Sequence, residues 1–252
     1  MFSKEQLMAD LAGMGVDGAG TLLVHSSMKA IGPVDGGADT VLDALCAYMR
    51  EGLLVFPTHT WAQMEHETYN VFDVRTESAC VGLLPNLFMK RPGAVRSLHP
   101  THSVAAIGRD AAAFVAGEEE SRTPCARTGC WGKLLDRRAS VLMLGCGLDK
   151  FTFLHGVEEW NDVPGRLTEQ EQTFYCVDAQ GIRHKTPQHR HCASPSEYYP
   201  KMEKAFYEGG ALRYGKFGDA RCMLVDAAKA AAITQTYLAQ NPDLFGDDTP
   251  LP

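Results

Sequence analysis

Short apolar runs, each followed by a polar or glycine-rich loop, recur along this chain of 252 residues. The runs TLLVH, GLLVFP, VAAIG and VLML, which start at positions 21, 52, 104 and 141, are typical of buried strands. Amphipathic stretches between them predict helices, for instance over residues 3–14 and 38–49. The alternation of strands and helices favours an α/β fold. No internal repeat or clear linker interrupts it, so we expect one domain over residues 1–252.

The composition of the chain argues against several classes of function. Hydrophobic residues make up 45% of the chain and charged residues 22%, as in an ordinary globular protein. No apolar run is long enough to span a bilayer, and the first residues lack the apolar centre of a signal peptide, so we expect a cytoplasmic protein without a membrane partner. A net charge of −7 argues against nucleic acid and weakly favours a cationic partner. The eight cysteines form no CxxC pair, which argues against a disulfide framework or a zinc ribbon.

The stretch 141–160, VLMLGCGLDKFTFLHGVEEW, holds the strongest candidate for chemistry. Its strand breaks at three small residues, and ligands of open α/β sheets bind in the loops that leave strand ends. If the following segment is helical, Glu158 and Glu159 lie three and four residues after His155 and share its face. A carboxylate there can hold the imidazole as a general base. The alternative is a surface helix whose His and Glu face water.

The loop after TLLVH is rich in small hydroxyl residues and precedes a predicted helix. Ser26 and Ser27, together with exposed N–H groups, can receive phosphates there, with Lys29 as the counter-charge. The loop has neither a GxGxxG nor a Walker sequence, so an ordinary strand-to-helix connection is the alternative.

Further polar residues are candidates for binding a substrate. Thr58 and His59 follow the GLLVFP strand and either line a pocket or pack within their loop. The next section is acid-rich and contains Glu65, Glu67 and Asp73, which either meet a cationic substrate or face solvent. His99 precedes a proline, where a structural role is favoured.

The second half of the chain carries weaker signals. Residues 173–177 and 182–185 flank a turn sequence and predict a hairpin. We expect a helix over 196–207, a glycine-rich turn through Tyr214 and Gly215, and a last helix over 225–238. The acidic run Glu118, Glu119 and Glu120 is most simply solvent-facing.

The cluster His189, Arg190, His191 and Cys192 can be read in two ways. Histidine and cysteine at short spacing are competent zinc ligands, and distant Cys222 would be needed as a fourth. A surface loop or substrate wall is favoured, with His189 as a substrate contact, so we predict no metal requirement.

Five segments in register resemble the antibiotic N-acetyltransferase family, whose best-known members are the aminoglycoside N3-acetyltransferases. They are LLVHSSMKAIGPVDGGADTVLDAL from position 22, LLVFPTHTW from 53, FDVRTESACVGLLPNLF from 72, RPGAVRSLHPTHSVAAIG from 91 and VLMLGCGLDKFTFLHGVEE from 141. The resemblance spans most of residues 20–165 and is loose beyond Arg166. It implies a mixed central sheet flanked by helices, in a fold that is not the GNAT fold.

The resemblance also implies a reaction. Acetyl-CoA supplies an acetyl group, and an amine, the 3-amino group of an aminoglycoside, accepts it by direct attack on the thioester. Ser26, Ser27 and Lys29 would touch the CoA phosphates, and the residues beside the pantetheine arm would be Ser103, Val104, Ala105 and Ala106. His155 would be the general base, from a THLAE-like motif that reads FLHGVEE here.

One departure from the family concerns the acceptor. Where aminoglycoside-modifying members place an acidic residue near the base, this chain has the sequence HRHC, which removes a contact that a polycation would need. The alternatives are therefore the same chemistry on another amine metabolite, a metal-dependent hydrolase that uses the HRHC cluster, or a non-catalytic CoA-binding protein. A homodimer is a further open alternative.

Overall fold

A mixed seven-stranded sheet forms the centre of the fold, and a three-stranded sheet lies beside it. The computed structural model describes residues 1–65, 69–193 and 195–251. The strands are β1 (Thr21–Ser26), β2 (Leu53–Pro57), β3 (Val71–Asp73), β4 (Val95–Arg96), β5 (Val104–Gly108), β6 (Ser140–Leu144), β7 (Gln172–Val177), β8 (Arg183–Gln188), β9 (Leu212–Phe217) and β10 (Ala220–Asp226).

Helices cover the central sheet and connect its strands. They are α1 (Lys4–Gly13), α2 (Gly37–Tyr48), α3 (Leu83–Phe88), α4 (Ala111–Val115), α5 (Cys130–Asp136), α6 (Phe153–Trp160), α7 (Glu203–Glu208) and α8 (Ala227–Gln240). Shorter 3-10 segments lie at Met28–Ile31, Gln63–Glu65, Glu118–Glu120, Leu148–Lys150 and Pro195–Met202. In the part of the chain that the structure describes, no helix is long and apolar enough to cross a membrane.

The strand order of the central sheet places three loops together. The order is β4-β5-β2-β1-β6-β10-β9, and β1 is parallel to both β2 and β6. The carboxyl ends of these three strands therefore meet at one edge. The loops that follow these strands contain Ser27, Thr58 and Gly145. In α/β sheets, ligands bind in a crevice at this position, at the carboxyl ends of the strands.

The apolar runs of the sequence are continuous because the central strands are buried on both faces. Along β1 the side chains alternate, so that Leu23 packs in one core cluster and Leu22 and Val24 pack in the other. β6 divides in the same way, with Val141 and Met143 on the first face. Strands covered by helices on both faces read as unbroken apolar runs.

The beginning of the chain forms as its sequence predicts. α1 begins after Ser3, whose hydroxyl accepts a hydrogen bond from the Gln6 backbone, and the Gln6 side chain accepts one from the Ser3 backbone. This reciprocal pair satisfies two donors that a helix start otherwise leaves without partners.

The region from 209 to 226 differs from the prediction. A hairpin of β9 and β10 replaces the expected glycine-rich turn, and α8 begins at Ala227 rather than at 225. β9 is an edge strand with exposed residues and Gly215, so the sequence contains no apolar run from which the strand could be predicted. A Cβ on Gly215 would lie 2.3 Å from Met14 Cγ, which explains a glycine within a strand.

Two other expectations are corrected. The predicted helix over 196–207 is a 3-10 segment followed by α7, because Pro200 interrupts it. Glu118 was expected in solvent but is fully buried, and its Oε2 accepts a 2.5 Å hydrogen bond from the Cys130 backbone N–H, at the first residue of α5.

Candidate active site

A pocket with a volume of about 990 Å³ opens where the loops after β1, β2 and β6 meet. Its wall includes Ser26, Ser27 and Lys29 from the first loop and His59 from the second. The third contributes Asp149, Lys150 and Thr152, and α6 contributes His155. The structure thus brings the predicted cofactor loop and the predicted base to one cavity.

The loop after β1 presents a hydroxyl and a cation to this cavity. The Ser27 backbone N–H donates to Leu144 O at 2.8 Å, which ties the loop to the end of β6. Ser26 Oγ is buried and has no hydrogen-bond partner among the described residues. Lys29 forms no ion pair within the described part of the chain. Such a loop can accept an anionic group.

His155 lies on α6, and its Nδ1 contacts Tyr199, which lies in the Pro195–Met202 segment. The Tyr199 hydroxyl lies 2.7 Å from His155 Nδ1 and donates a 2.5 Å hydrogen bond to Glu158 Oε2. Because a hydroxyl has only one proton, it must accept from the Nδ1–H of the imidazole. The tautomer with a proton on Nδ1 leaves the Nε2 lone pair available as a base.

Glu158 acts on His155 chiefly through Tyr199. Its Oε2 lies 3.7 Å from His155 Nδ1, whereas its Oε1 accepts a 2.6 Å hydrogen bond from Arg166 Nε. Burial raises the pKa of Glu158, but the nearby His155 and the hydrogen bonds from Tyr199 and Arg166 outweigh it, so the net shift lowers this pKa. The carboxylate is therefore ionised, and it can stabilise charge that develops on the imidazole.

The pKa of His155 is lowered from its ordinary value. Burial is the largest cause, followed by the nearby His191, and the carboxylate of Glu158 opposes both. A lowered pKa keeps the imidazole neutral near pH 7, which is the protonation state that a general base requires.

Glu159 is turned away from His155 and holds His191 instead. Its Oε1 lies 2.6 Å from His191 Nε2 and accepts a 2.9 Å hydrogen bond from the Cys125 backbone N–H. The His191 ring in turn packs against the His155 ring, with centroids 4.5 Å apart. Of the two carboxylates predicted near the base, one contacts it and the other positions its neighbour.

A group of buried histidines forms the floor of the pocket. His59 and His102 have ring centroids 4.7 Å apart, and His102 also contacts His191 at 5.0 Å. Burial lowers the pKa of His25 to about 3 and that of His99 to about 4. Burial also lowers the pKa of His59 and that of His102 well below the ordinary 6.5, so these buried rings are uncharged at neutral pH. His99 has a local role, because its Nδ1 accepts from the His102 backbone N–H at 2.9 Å.

Several predicted contacts lie outside the pocket wall. Thr58 is buried below it, where its Oγ1 lies 2.9 Å from Ser103 Oγ and accepts from Arg96 Nε at 3.1 Å. The strand residues expected beside pantetheine, Val104, Ala105 and Ala106, are fully buried in the core clusters.

The predicted substrate contacts in the acidic and HRHC segments are also dispersed. Asp73 is paired with Arg75 at 2.6 Å. His189 Nδ1 lies 2.7 Å from Thr168 O and is not in the pocket wall, unlike Arg190 and His191. The Glu65 side chain and all of Glu67 lie outside the described residues.

The HRHC segment does not act as one metal-binding unit. In the described part of the chain, the group that could hold an ion consists of Cys125, Glu159 and His191. Cys222 lies on β10, where its thiol donates to Ala220 O at 3.5 Å. The fourth zinc ligand suggested by the sequence is therefore not beside His191.

Sequence reasoning missed Tyr199 and Arg166, which complete the surroundings of Glu158. They are 41 and 8 residues away from Glu158 along the chain, so no local spacing relates them to it. A faint signal exists for Tyr199, since a tyrosine followed by proline inside an amphipathic stretch is an unusual choice for a plain surface helix.

The chain is similar to known proteins over most of its length. The family described as aminoglycoside 3-N-acetyltransferase, Antibiotic_NAT, matches residues 23–239. Aminoglycoside N(3)-acetyltransferase VII of Streptomyces paromomycinus is 31% identical over 198 residues, which cover 71% of this chain and 68% of that protein. Aminoglycoside N(3)-acetyltransferase III of Serratia marcescens is 28% identical over 276 residues, which cover 96% and 98% of the two chains.

Solved structures have the same fold. The binary complex of AAC-IIIb with CoASH superposes with a TM-score of 0.82 at 25% identity and covers 100% of this chain and 99% of that one. Aminoglycoside acetyltransferase AAC(3)-Xa superposes with a TM-score of 0.80 at 26% identity, over 95% of this chain and 93% of that one. The predicted α/β fold with a mixed central sheet is confirmed.

Proposed function

The chain belongs to the antibiotic N-acetyltransferase family, and on that premise we propose that it transfers the acetyl group of acetyl-CoA to an amine with His155 as the general base. It is an acyltransferase of the aminoglycoside N3-acetyltransferase-like type, from a family that uses CoA. The identity of the base and of the acceptor go beyond that family membership and rest on the geometry of the pocket.

The observation that carries the proposal is the hydrogen bond between Tyr199 Oη and His155 Nδ1. Because Tyr199 donates its proton to Glu158, the imidazole must carry its proton on Nδ1. Nε2 is then free, in a side chain that lines the pocket. An imidazole nitrogen with an available lone pair that faces a cavity is what a general base needs.

The chemistry follows from this arrangement. An amine that is protonated cannot attack a thioester until a base holds or removes its proton, and Nε2 of His155 accepts that proton. The amine then attacks the carbonyl directly and the C–S bond breaks. CoA leaves as the thiol with the proton from the imidazolium, and the second proton of the attacking nitrogen passes to solvent. Charge that develops on the imidazole is stabilised by Glu158 through Tyr199. Neither an acetylated enzyme nor a metal is part of this scheme.

Acetyl-CoA binding is supported by the loop after β1. Ser26, Ser27 and Lys29 line the same pocket as His155, and the Ser26 hydroxyl is without a partner among the described residues. A hydroxyl, backbone N–H groups and a cation suit the phosphates of CoA. A solved relative of the same fold is described as a binary complex with CoASH.

The first acceptor class is an aminoglycoside, through its 3-amino group. The curated relatives named above are aminoglycoside N(3)-acetyltransferases, and the alignment with one of them covers nearly the whole chain. A role in antibiotic resistance would follow from this acceptor.

A second acceptor class, an amine that also carries an anionic group, is favoured by the charges of the wall. The carboxylates near the base are engaged, Glu158 by Arg166 and Glu159 by His191. Asp149 pairs with Lys150 at 2.9 Å. Arg190 lines the pocket and has no acidic partner within the described residues, since its Nη1 donates to Met64 O. Among the described residues Arg190 is thus a cation without an acidic partner, which would repel a polycation and attract a carboxylate or phosphonate.

The test measures release of CoA thiol from acetyl-CoA with a panel of acceptors. The panel contains aminoglycosides and matched pairs of an amino acid and its amide, which share an amine and differ in the carboxylate. Wild-type protein is compared with His155→Gln and Arg190→Gln. His184→Gln and Arg183→Gln serve as matched controls because both residues lie on β8 and neither lines the pocket.

The outcomes test separately the role of His155 as the base, the class of acceptor and the binding of CoA. We expect His155→Gln to lower turnover by about 10²- to 10⁴-fold while CoA binding is kept. Aminoglycoside turnover supports the first acceptor class. A preference for the acid over its amide of about tenfold or more, lost in Arg190→Gln, supports the second. Absence of CoA binding rules out the proposed function.

A further inference from the structure

Three side chains that can bind metals converge beside the pocket: Cys125, Glu159 and His191. Their ligand atoms all lie within 4.8 Å of one another, although the residues are far apart in sequence. Cys125 is buried, and the other two are largely shielded, with side-chain exposures of 4% for Glu159 and 14% for His191. His191 lines the pocket, so an ion can reach the group from there.

We propose that Cys125, Glu159 and His191 bind a thiophilic divalent cation such as Zn²⁺, and that the bound cation inhibits acetyl transfer. Thiolate, carboxylate and imidazole are all ligands that Zn²⁺ accepts, and three protein ligands leave a fourth position for water. Tetrahedral zinc places its donor atoms about 3.4 to 3.6 Å apart. The pairs of ligand atoms that are up to 4.8 Å apart therefore need to approach by about 1.4 Å at most, and Glu159 Oε1 and His191 Nε2, which are 2.6 Å apart, need to separate by about 0.8 Å.

The hydrogen bonding of Glu159 is incomplete in a way that suits a cation. Oε1 accepts from the Cys125 backbone N–H and contacts His191 Nε2, but Oε2 is buried and has no partner among the described residues. A buried carboxylate oxygen without a partner is costly, and metal coordination satisfies it. The Cys125 backbone contact holds the carboxylate in place, as outer contacts do in metal sites.

Binding changes the protonation of two ligands. The Cys125 thiol contacts Thr152 O at 4.0 Å, a weak hydrogen bond, and it must lose its proton to solvent to coordinate as a thiolate. Nε2 of His191 must likewise release any proton that it shares with Glu159, so that its lone pair can coordinate. Binding of the ion therefore releases protons.

Inhibition follows from the distance to the base, and this part rests on the proposed function. The ring centroids of His191 and His155 are 4.5 Å apart. A dication at His191 opposes the imidazolium that forms when His155 takes the proton of the amine, and it repels an ammonium acceptor. The rate therefore falls as the site fills.

The neighbouring HRHC residues provide matched controls. Cys192 lies next to His191, but its thiol contacts Arg190 O at 4.0 Å and it is not in the metal-binding group. The His189 ring faces Thr168 O and Glu171 instead. If the HRHC sequence bound the ion, replacing Cys192 or His189 would weaken its binding. In the structure neither residue belongs to the metal-binding group, so we expect no such loss.

The first experiment titrates Co²⁺ into the full-length protein after treatment with a chelator. One equivalent is expected to give a thiolate-to-cobalt charge-transfer band and tetrahedral ligand-field bands. Cys125→Ser is expected to abolish the charge-transfer band and to weaken binding at least tenfold. Cys192→Ser and His189→Ala are expected to leave the spectrum unchanged.

Because Cys125 is fully buried, its variant is checked by thermal unfolding, and His191→Ala provides an independent variant at a partly exposed position. His191→Ala is expected to weaken Co²⁺ binding at least tenfold while the protein stays folded. Equal binding by wild type and His191→Ala would overturn the proposal, as would loss of the band in Cys192→Ser or a band that never saturates at one equivalent.

The second experiment measures acetyl transfer with increasing Zn²⁺. Wild type is expected to lose activity at the concentrations that displace Co²⁺ and to recover it with chelator. Residual activity of Cys125→Ser is expected to resist Zn²⁺ at least tenfold better. Cobalt binding with no inhibition would overturn the inhibitory role alone. A protein without any acetyl transfer would refute the proposed function but leave the cobalt result standing.

Discussion

At the scale of single residues, Tyr199 decides which nitrogen of His155 is available. Its hydroxyl connects the imidazole to Glu158, which by itself is 3.7 Å from Nδ1. A ring in the wrong tautomer would present an N–H to the amine and could not accept its proton. Tyr199 is therefore proposed as a positioning residue, since it acts through His155 and does not line the pocket.

Tyr199→Phe removes the hydroxyl and keeps the ring. We expect kcat for acetyl transfer to fall by about tenfold or more with a smaller change in KM, because the substrate does not contact the hydroxyl. Steady-state kinetics measure the two constants. Tyr207→Phe is the control, since Tyr207 is 56% exposed and packs on Tyr214. A change confined to KM would contradict the positioning role.

The pH dependence of the rate also belongs to this scale. Because burial and His191 lower the pKa of His155, the protonated form appears only below the ordinary value of 6.5. We expect the acid limb of kcat to have its midpoint below pH 6.5. His191→Asn removes one cause of the lowering, so the midpoint should move upward. NMR titration of the His155 ring checks the assignment, and a midpoint that moves downward would disprove it.

At the scale of elements, α6 carries the proposed base and depends on a close contact. A Cβ on Gly156 would lie 2.7 Å from Cζ2 of Trp160. That indole donates from Nε1 to Cys125 O at 2.8 Å and has little freedom to move. The glycine next to His155 is therefore explained by packing, since its backbone is helical.

Gly156→Ala should destabilise the protein despite the better helix propensity of alanine. The gain of up to about 1 kcal/mol from propensity is outweighed by the overlap with Trp160, and kcat should fall because His155 shifts with the helix. Thermal unfolding and kinetics measure both. Gly13→Ala is the matched control, since a Cβ there meets nothing within 4 Å at the end of α1. We expect that variant to be as stable as wild type or more stable.

The helices and strands differ in how clearly the sequence predicts them. β1, β2, β5 and β6 were predicted within one or two residues because both of their faces are buried, and α1 was predicted from its capping residues. β9 was missed because an edge strand with one solvated face lacks an apolar run. Glu118 was misplaced because its partner, the Cys130 backbone, is distant in sequence.

At the scale of the whole molecule, the buried neutral histidines couple stability to pH. Burial lowers the pKa of His25 to about 3 and that of His99 to about 4, from an ordinary 6.5. Between these values the unfolded chain binds protons that the folded chain does not. The stabilisation is therefore complete above pH 6.5 and is lost as the pH falls toward the folded-state values.

We expect the melting temperature to fall between about pH 7 and about pH 4.5, where each of these two histidines costs on the order of 2 kcal/mol. Calorimetry at several pH values measures the change. In His25→Gln the fall should be smaller, since one titrating group is gone. Gly13→Ala, which changes no titratable group, should keep the wild-type fall. Equal falls in all three proteins would contradict this account.

The two ends of the described fold are joined in one sheet, since β1 lies two strands from β10 in the central sheet. We therefore propose that the chain is a single domain, as the uninterrupted sequence pattern predicts. Limited proteolysis without a stable intermediate fragment would support this.

The sequence by itself determined β1, β2, β5 and β6 of the central sheet and the α/β class, because burial on both faces of a strand is a local signal, and it identified His155 as the candidate base. Five segments in register also determined the family. Only the tertiary structure decided that Glu158 reaches His155 through Tyr199, and that Glu159 holds His191 beside Cys125. Those contacts join segments tens of residues apart. Contacts over such separations produce no periodic pattern in the sequence from which they could be predicted.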